Sequence, residues 1–186
     1  PSLNVSAALV KNLTSNFYFF ELETSQRWPL ASLTKLLTSV VALEEIGYTD
    51  EVKSMVEQMM FVSSNQAAEK VGEIYGDSQK FIEKINEKAL KIGMKRTSIF
   101  EPTGLSFLNQ STINDLEVLV DYIIKNHPFI FQASRQSKIN IDGKEFTSLN
   151  RFTGEPNFMG GKTGFTDEAN GNLLSIFQYQ GQPILI

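Results

Sequence analysis

The sequence predicts an α+β fold: an antiparallel sheet built from both chain ends with flanking helices, plus a central helical lobe. Three observations carry this. β-forming runs bounded by turn residues open the 186-residue chain, similar runs close it, and apolar runs at helical spacing fill the middle. Strands at both termini that enclose helices pair most simply with each other, and a sheet so made buries a face against those helices. The chain reads as a single domain, with a sheet lobe over about 1–28 and 138–186 and a helical lobe over about 29–137.

Residues 6–10 (SAALV) and 17–22 (FYFFEL), on either side of KNLTSN, predict a hairpin. From Ser32 the positions Leu33, Leu36, Leu37, Val40, Val41 and Leu43 follow a helical period up to Gly47, a C-terminal stop. Its apolar face is wide, so this helix is expected in the core. Val52 to Met60 predicts a second helix and NQAAEKVGEIYG a third. Phe81, Ile82, Ile85, Ala89 and Ile92 mark a fourth, closed by Gly93. After the EPTGL turn a fifth opens at STIND, where Ser111 or Thr112 can cap it. From Lys138 the pattern returns to strands: KINID, a turn at Asp142-Gly143, KEFTSL, GGKTGFT, GNLLSIFQ and a final ILI. The chain ends within that strand pattern, so its C-terminal end is expected to be truncated.

Composition narrows the chemistry. A formal net charge of -4 gives no basic field for a phosphate backbone, which argues against nucleic acid as a partner. With no cysteine, thiol nucleophiles, thiolate zinc sites and disulfides are excluded. His127 is the single histidine. It lies in KNHPFI, after a helical run and before a proline, and reads as a helix C-terminal charge or cap. No apolar run approaches the roughly 20 residues of a membrane span, and no export signal is present in this chain.

Three polar motifs remain. Ser32-Leu33-Thr34-Lys35 is weak alone, since Ser-x-x-Lys recurs about once in a chain of this size and serine is an ordinary N-cap. Ser63-Ser64-Asn65 is also open to a capping reading, and Ser2-Leu3-Asn4 and Ser148-Leu149-Asn150 share its pattern. Lys162-Thr163-Gly164 is the most specific, expected in about one such chain in twenty. A nucleotide-binding loop is excluded for GGKTG, because the glycine required six positions before the lysine is Pro156.

In this order the motifs resemble the signature of the penicillin-recognising serine enzymes, the penicillin-binding proteins and serine β-lactamases. The flanks ASLTKLLT, VSSNQAA, IGMKRTSIFEPTGLS, STINDLEVLV and GGKTGFTDEANG look like the D-alanyl-D-alanine carboxypeptidase branch, the low-molecular-mass penicillin-binding proteins. The resemblance covers nearly the whole chain. It implies a β-lactamase/transpeptidase-like fold, and an acyl-enzyme on Ser32 formed from a peptidoglycan stem peptide ending in D-Ala-D-Ala. Lys35 would accept the Ser32 proton, and Ser63 would relay one to the leaving amine. Asn65 would bond the substrate and the Lys35 head, while Lys162 and Thr163 would hold the terminal carboxylate. Gly164 would let the peptide lie against the strand, and the backbone N–H groups of Ser32 and Phe165 would form the oxyanion hole. The resemblance further implies β-lactam antibiotics as covalent inhibitors, no metal or organic cofactor, and a place outside the cytoplasmic membrane.

The physical logic agrees with that implication. A serine hydroxyl needs a base, no histidine is suitably placed, and a desolvated lysine beside another cation can stay neutral enough to serve. Three departures from the family stand out. The segment between Gly47 and Ser63 is short, the stretch after Phe131 is compact, and no C-terminal β-rich domain or amphipathic anchor follows. A β-lactamase would need a further base for deacylation, for which Glu101 is the candidate by position. A D,D-endopeptidase or transpeptidase would use the same residues, and a penicillin- or wall-binding sensor with little turnover is the non-enzymatic alternative.

Overall fold

The computed structural model describes residues 4–141 and 144–186, so the turn expected at Asp142-Gly143 lies outside the described residues. In chain order the elements are β1 (Ala8–Asn12), β2 (Tyr18–Leu22), β3 (Trp28–Pro29), a 3-10 turn (Ala31–Leu33), α1 (Thr34–Glu45), α2 (Asp50–Phe61), α3 (Asn65–Tyr75) and α4 (Ser78–Ile92). There follow β4 (Gln110–Ser111), α5 (Ile113–Asn126), α6 (Phe129–Ala133), β5 (Lys138–Ile141), β6 (Lys144–Thr147), β7 (Phe158–Thr166), β8 (Asn170–Tyr179) and β9 (Gln182–Leu185).

The main sheet is five-stranded and antiparallel, in the order β2-β1-β9-β8-β7. The two chain ends meet where Lys11 pairs with Leu185 and Asn12 with Ile184. This is the α+β architecture expected from the strand-helix-strand pattern. One face is covered by helices, and α1 is buried almost all round: every side chain from Thr34 to Leu43 is buried, the polar Thr34, Lys35, Thr38 and Ser39 among them. It packs against α2, α3, α4 and α6. Each buried leucine or valine there contributes about 1.5–3 kcal/mol.

Local chemistry sets the helix ends. Thr49, Ser64, Asp77 and Thr112 cap α2, α3, α4 and α5 by accepting a backbone N–H three residues on. Gly47, Gly76 and Gly93 stop three of the helices at positive φ. His127 ends α5 as a buried cap. Its N–H donates to Ile123 O at 2.8 Å, and its ring lies between Glu44 (2.9 Å) and the Tyr48 hydroxyl (2.5 Å).

Four features differ from the sequence-based expectation. β1 lies two residues beyond 6–10. The first helix begins at Thr34, with Ser32 in the preceding 3-10 turn rather than within the helix. A five-residue helix, α6, follows Pro128. Among the described residues the β5–β6 hairpin pairs only with itself and does not join the main sheet. The described side chains of Lys138, Asn140, Glu145, Phe146 and Thr147 are all exposed. Among the described residues no helix is long and apolar enough to cross a membrane.

Phe81 is fully buried on α4 and meets Tyr75 of α3 with ring centroids 5.6 Å apart. Phe81→Ala is expected to cost about 3–5 kcal/mol of stability, read from urea unfolding midpoints.

Candidate active site

The site begins at a strained turn. Ala31 has φ +46°, a left-handed conformation costly for a residue with a Cβ, and it turns the chain from Leu30 into the 3-10 turn that carries Ser32. The Ser32 hydroxyl caps no helix, which removes the ordinary N-cap reading. Two glycines hold this turn by close approach. A Cβ on Gly104, whose φ is +89°, would sit 1.9 Å from Ala31 O, and one on Gly164 would sit 2.9 Å from Ser32 N. The crowding that glycine avoids at 164 is thus against the turn's own backbone, in addition to any peptide along the strand.

Three residues on, α1 carries Lys35 into the core, where it is 0 % exposed. Its Nζ donates to Ser32 Oγ at 3.1 Å, Asn65 Oδ1 at 2.7 Å and Thr103 O at 2.5 Å. Burial pushes the ammonium down from 10.5 to about 8, against the pull of Glu101 and Glu69. Glu101 is not free to act as a hydrolytic base. Its carboxylate accepts from Thr103 N, Thr103 Oγ1, Gly104 N, Ser106 N and Asn109 Nδ2, and so folds the loop that delivers Thr103 O to Lys35.

A second lysine closes the site from the sheet. Lys162, 2 % exposed on β7, donates to Ser63 Oγ at 2.9 Å and Thr163 O at 2.8 Å. Burial, then the Lys35 charge, lowers it to about 7. The SSN tripeptide divides its work: Ser63, at φ +57°, faces Lys162, Ser64 caps α3, and Asn65 faces Lys35.

Strand register places the last group. On β8, Ser175 exchanges both backbone bonds with Ile186, so Leu174 and Asn172 face β7 and pair with Lys162 and Gly164. The N–H groups of Thr163 and Phe165 therefore face the outer edge, as Gly161 N–H does in donating to Ser134 Oγ at 2.9 Å. β7 is the edge strand, and Gly164 brings Phe165 N–H beside the Ser32 turn.

The structure thus gathers Ser32, Lys35 and Asn65 in one hydrogen-bonded group, Ser63, Lys162 and Thr163 in another, and Gly164 and Phe165 against the Ser32 turn. Sequence reading missed Thr103 and Gly104: it took EPTGL as a turn and a matching flank and singled out only Glu101 there. The contribution of Thr103 is a backbone carbonyl, which no side-chain pattern announces; the carboxylate and glycine at 101 and 104 were the available signal. Two surface grooves, along α4 at Ile82 and Leu90 and between α2 and α3 at Met55 and Gln66, lie away from Ser32 and Lys35.

Comparison with known proteins gives a family model, D-alanyl-D-alanine carboxypeptidase, that matches residues 45–185. The matched stretch contains Ser63, Asn65 and Lys162 to Phe165 and begins after Lys35. A D-alanyl-D-alanine endopeptidase of Escherichia coli is 27% identical over 221 residues, covering 100% of this chain and 71% of the relative. That alignment is longer than the 186-residue chain, so the chain has fewer residues than the relative over the matched stretch. An endopeptidase of the same description from Haemophilus influenzae is 30% identical, over 82% of this chain and 63% of its own length. Among solved structures, an ampicillin-bound penicillin-binding protein of Listeria monocytogenes superposes with a TM-score of 0.87 at 26% identity, covering 100% of this chain and 89% of that one.

Gly104→Ala is expected to lose more than about 3 kcal/mol of stability, since it adds a backbone clash to the left-handed strain. Gly47→Ala, at φ +108° with nothing within 4 Å, should lose only about 1 kcal/mol. Equal shifts in melting temperature would contradict the clamped-turn account.

Proposed function

The chain belongs to the D-alanyl-D-alanine carboxypeptidase family, and on that premise we propose that it is a serine peptidase that removes the terminal D-alanine of peptidoglycan stem peptides through an acyl-enzyme on Ser32. One observation carries the reading. Lys35 Nζ lies 3.1 Å from Ser32 Oγ while Asn65 Oδ1 and Thr103 O hold its other hydrogens. A neutral Lys35 so held keeps two N–H bonds on those oxygens and turns its lone pair to the serine hydroxyl, the geometry of a general base.

In this reading the reaction runs between a sheet lobe (about 1–28 and 138–186) and a helical lobe (about 29–137). Lys35 takes the Ser32 proton as Oγ adds to the carbonyl between the two D-alanines. The developing oxyanion accepts from Ser32 N–H and Phe165 N–H, donors already fixed before reaction. Ser63 gives its proton to the leaving amine and takes one from Lys162, which donates to its Oγ, while the Ser32 proton stays on Lys35. Lys162 and Thr163 hold the terminal carboxylate, Asn65 aligns the substrate, and water then releases the acyl group. No step draws on a metal or an organic cofactor. β-Lactams would acylate Ser32 by the same first step, and stem peptides place the enzyme's work outside the cytoplasmic membrane.

A second reading has a specific observation behind it: the Escherichia coli and Haemophilus influenzae relatives are both described as D-alanyl-D-alanine endopeptidases. The bond broken there is also an amide of D-alanine, and this machinery would serve it. Free D-alanine released from a linear stem peptide, against cleaved cross-linked dimers, separates the two.

Intact-protein mass spectrometry after exposure to benzylpenicillin should find one adduct on the wild type and none on Ser32→Ala. Lys35→Ala should slow adduct formation by about 10²–10⁴-fold. A folded wild type that takes up no penicillin would refute this function and favour a binding module.

A further inference from the structure

The two lysines are caged differently. Lys35 Nζ meets three oxygen acceptors, Ser32 Oγ, Asn65 Oδ1 and Thr103 O, which is a complete set for an ammonium. Lys162 Nζ meets two, Ser63 Oγ and Thr163 O, which satisfies the two hydrogens of a neutral amine. The surrounding charge has the same bias. Glu101 and Glu69 favour charge on Lys35, while the repulsion between the two amines is mutual and favours neither. Resting near neutral pH, the pair keeps its proton on the lysine that must give it up to act as a base.

We propose that the substrate's own terminal carboxylate arms the nucleophile, by moving one proton from Lys35 to Lys162 when it binds beside Lys162 and Thr163. The inference rests on the function proposed above and deepens it. An anion in hydrogen-bond contact with Lys162 Nζ adds a charged acceptor and raises that amine's proton affinity. Lys162, once charged, lowers that of Lys35 by repulsion. One N–H bond breaks at Lys35 Nζ, one forms at Lys162 Nζ, and the charge of the pair is unchanged. Lys35 then keeps two hydrogens on Asn65 Oδ1 and Thr103 O, and its lone pair faces Ser32 Oγ. The substrate class follows: acyl-D-amino acids with a free carboxylate next to the scissile amide, in preference to the same compounds amidated there. Burial lowers both amines toward the working range, so a proton can pass between them.

The test is kcat/KM against pH for a stem peptide ending in D-Ala-D-Ala and for the same peptide with a C-terminal amide. With the free carboxylate the active enzyme holds one proton on the pair, so the profile should be bell-shaped with limbs near 7 and 8. The amide offers no anion to Lys162, so Lys35 must lose its proton to solvent. Its profile should rise through about 8, lie about tenfold below its plateau at pH 7, and show no alkaline limb. Profiles of one shape would overturn the inference, as would an amide that is not cleaved even above pH 9, where Lys35 is neutral unaided. A missing penicillin adduct together with an uncleaved free-acid peptide would sink the proposed function and this inference together; an adduct with identical profiles would sink this inference alone.

Discussion

The structure depends on burying two lysine side chains in one site. Among the described residues neither Lys35 nor Lys162 has a carboxylate in ion-pair contact, so desolvation of each ammonium is offset at contact distance by neutral oxygens, with Glu101 and Glu69 acting on Lys35 from further away. Those oxygens must be held in place. Asn65 comes from the first turn of α3, Thr103 O from the loop folded around Glu101, Ser63 from a left-handed position between α2 and α3, and Thr163 O from the edge strand. The helices, that loop and the sheet meet at Ser32 because each brings an acceptor to a buried amine.

Such an arrangement leaves little slack in the backbone. Ala31 and Ser63 both occupy left-handed conformations without being glycine; Ala31 adjoins Ser32, and Ser63 accepts from Lys162. Gly104 and Gly164 approach the Ser32 turn more closely than any side chain would allow. Strain and close packing hold the Ser32 turn against Gly104 and Gly164, so the reaction proposed for Ser32 would need little reorganisation of that turn.

Much of this was legible in the sequence, for physical reasons that can be named. The unbroken apolar spacing from Leu33 to Leu43 announced a buried helix, glycines at 47 and 93 announced its end and that of α4, and β-formers at both termini announced a sheet closed across them. The Ser-x-x-Lys, Ser-x-Asn and Lys-Thr-Gly motifs were each weak or moderate alone, and their order made the site. What stayed hidden was backbone geometry: the left-handed Ala31 that converts a helix start into a 3-10 turn, the five-residue α6, the two-residue pairing of β3 with β4, and the carbonyl of Thr103. Side-chain periodicity carries no signal for these, because they are set by contacts between distant segments.

The central claim is that burial leaves Lys35 able to lose its proton at working pH. The most direct measurement is the titration of the Lys35 ammonium, followed by NMR of ¹³Cε-labelled lysine and assigned by comparison with Lys35→Arg. A midpoint near 8 is expected, with Lys162 titrating below it at about 7. A Lys35 midpoint at the ordinary 10.5 would mean that the residue stays charged beside Ser32, and that something else must take the serine's proton.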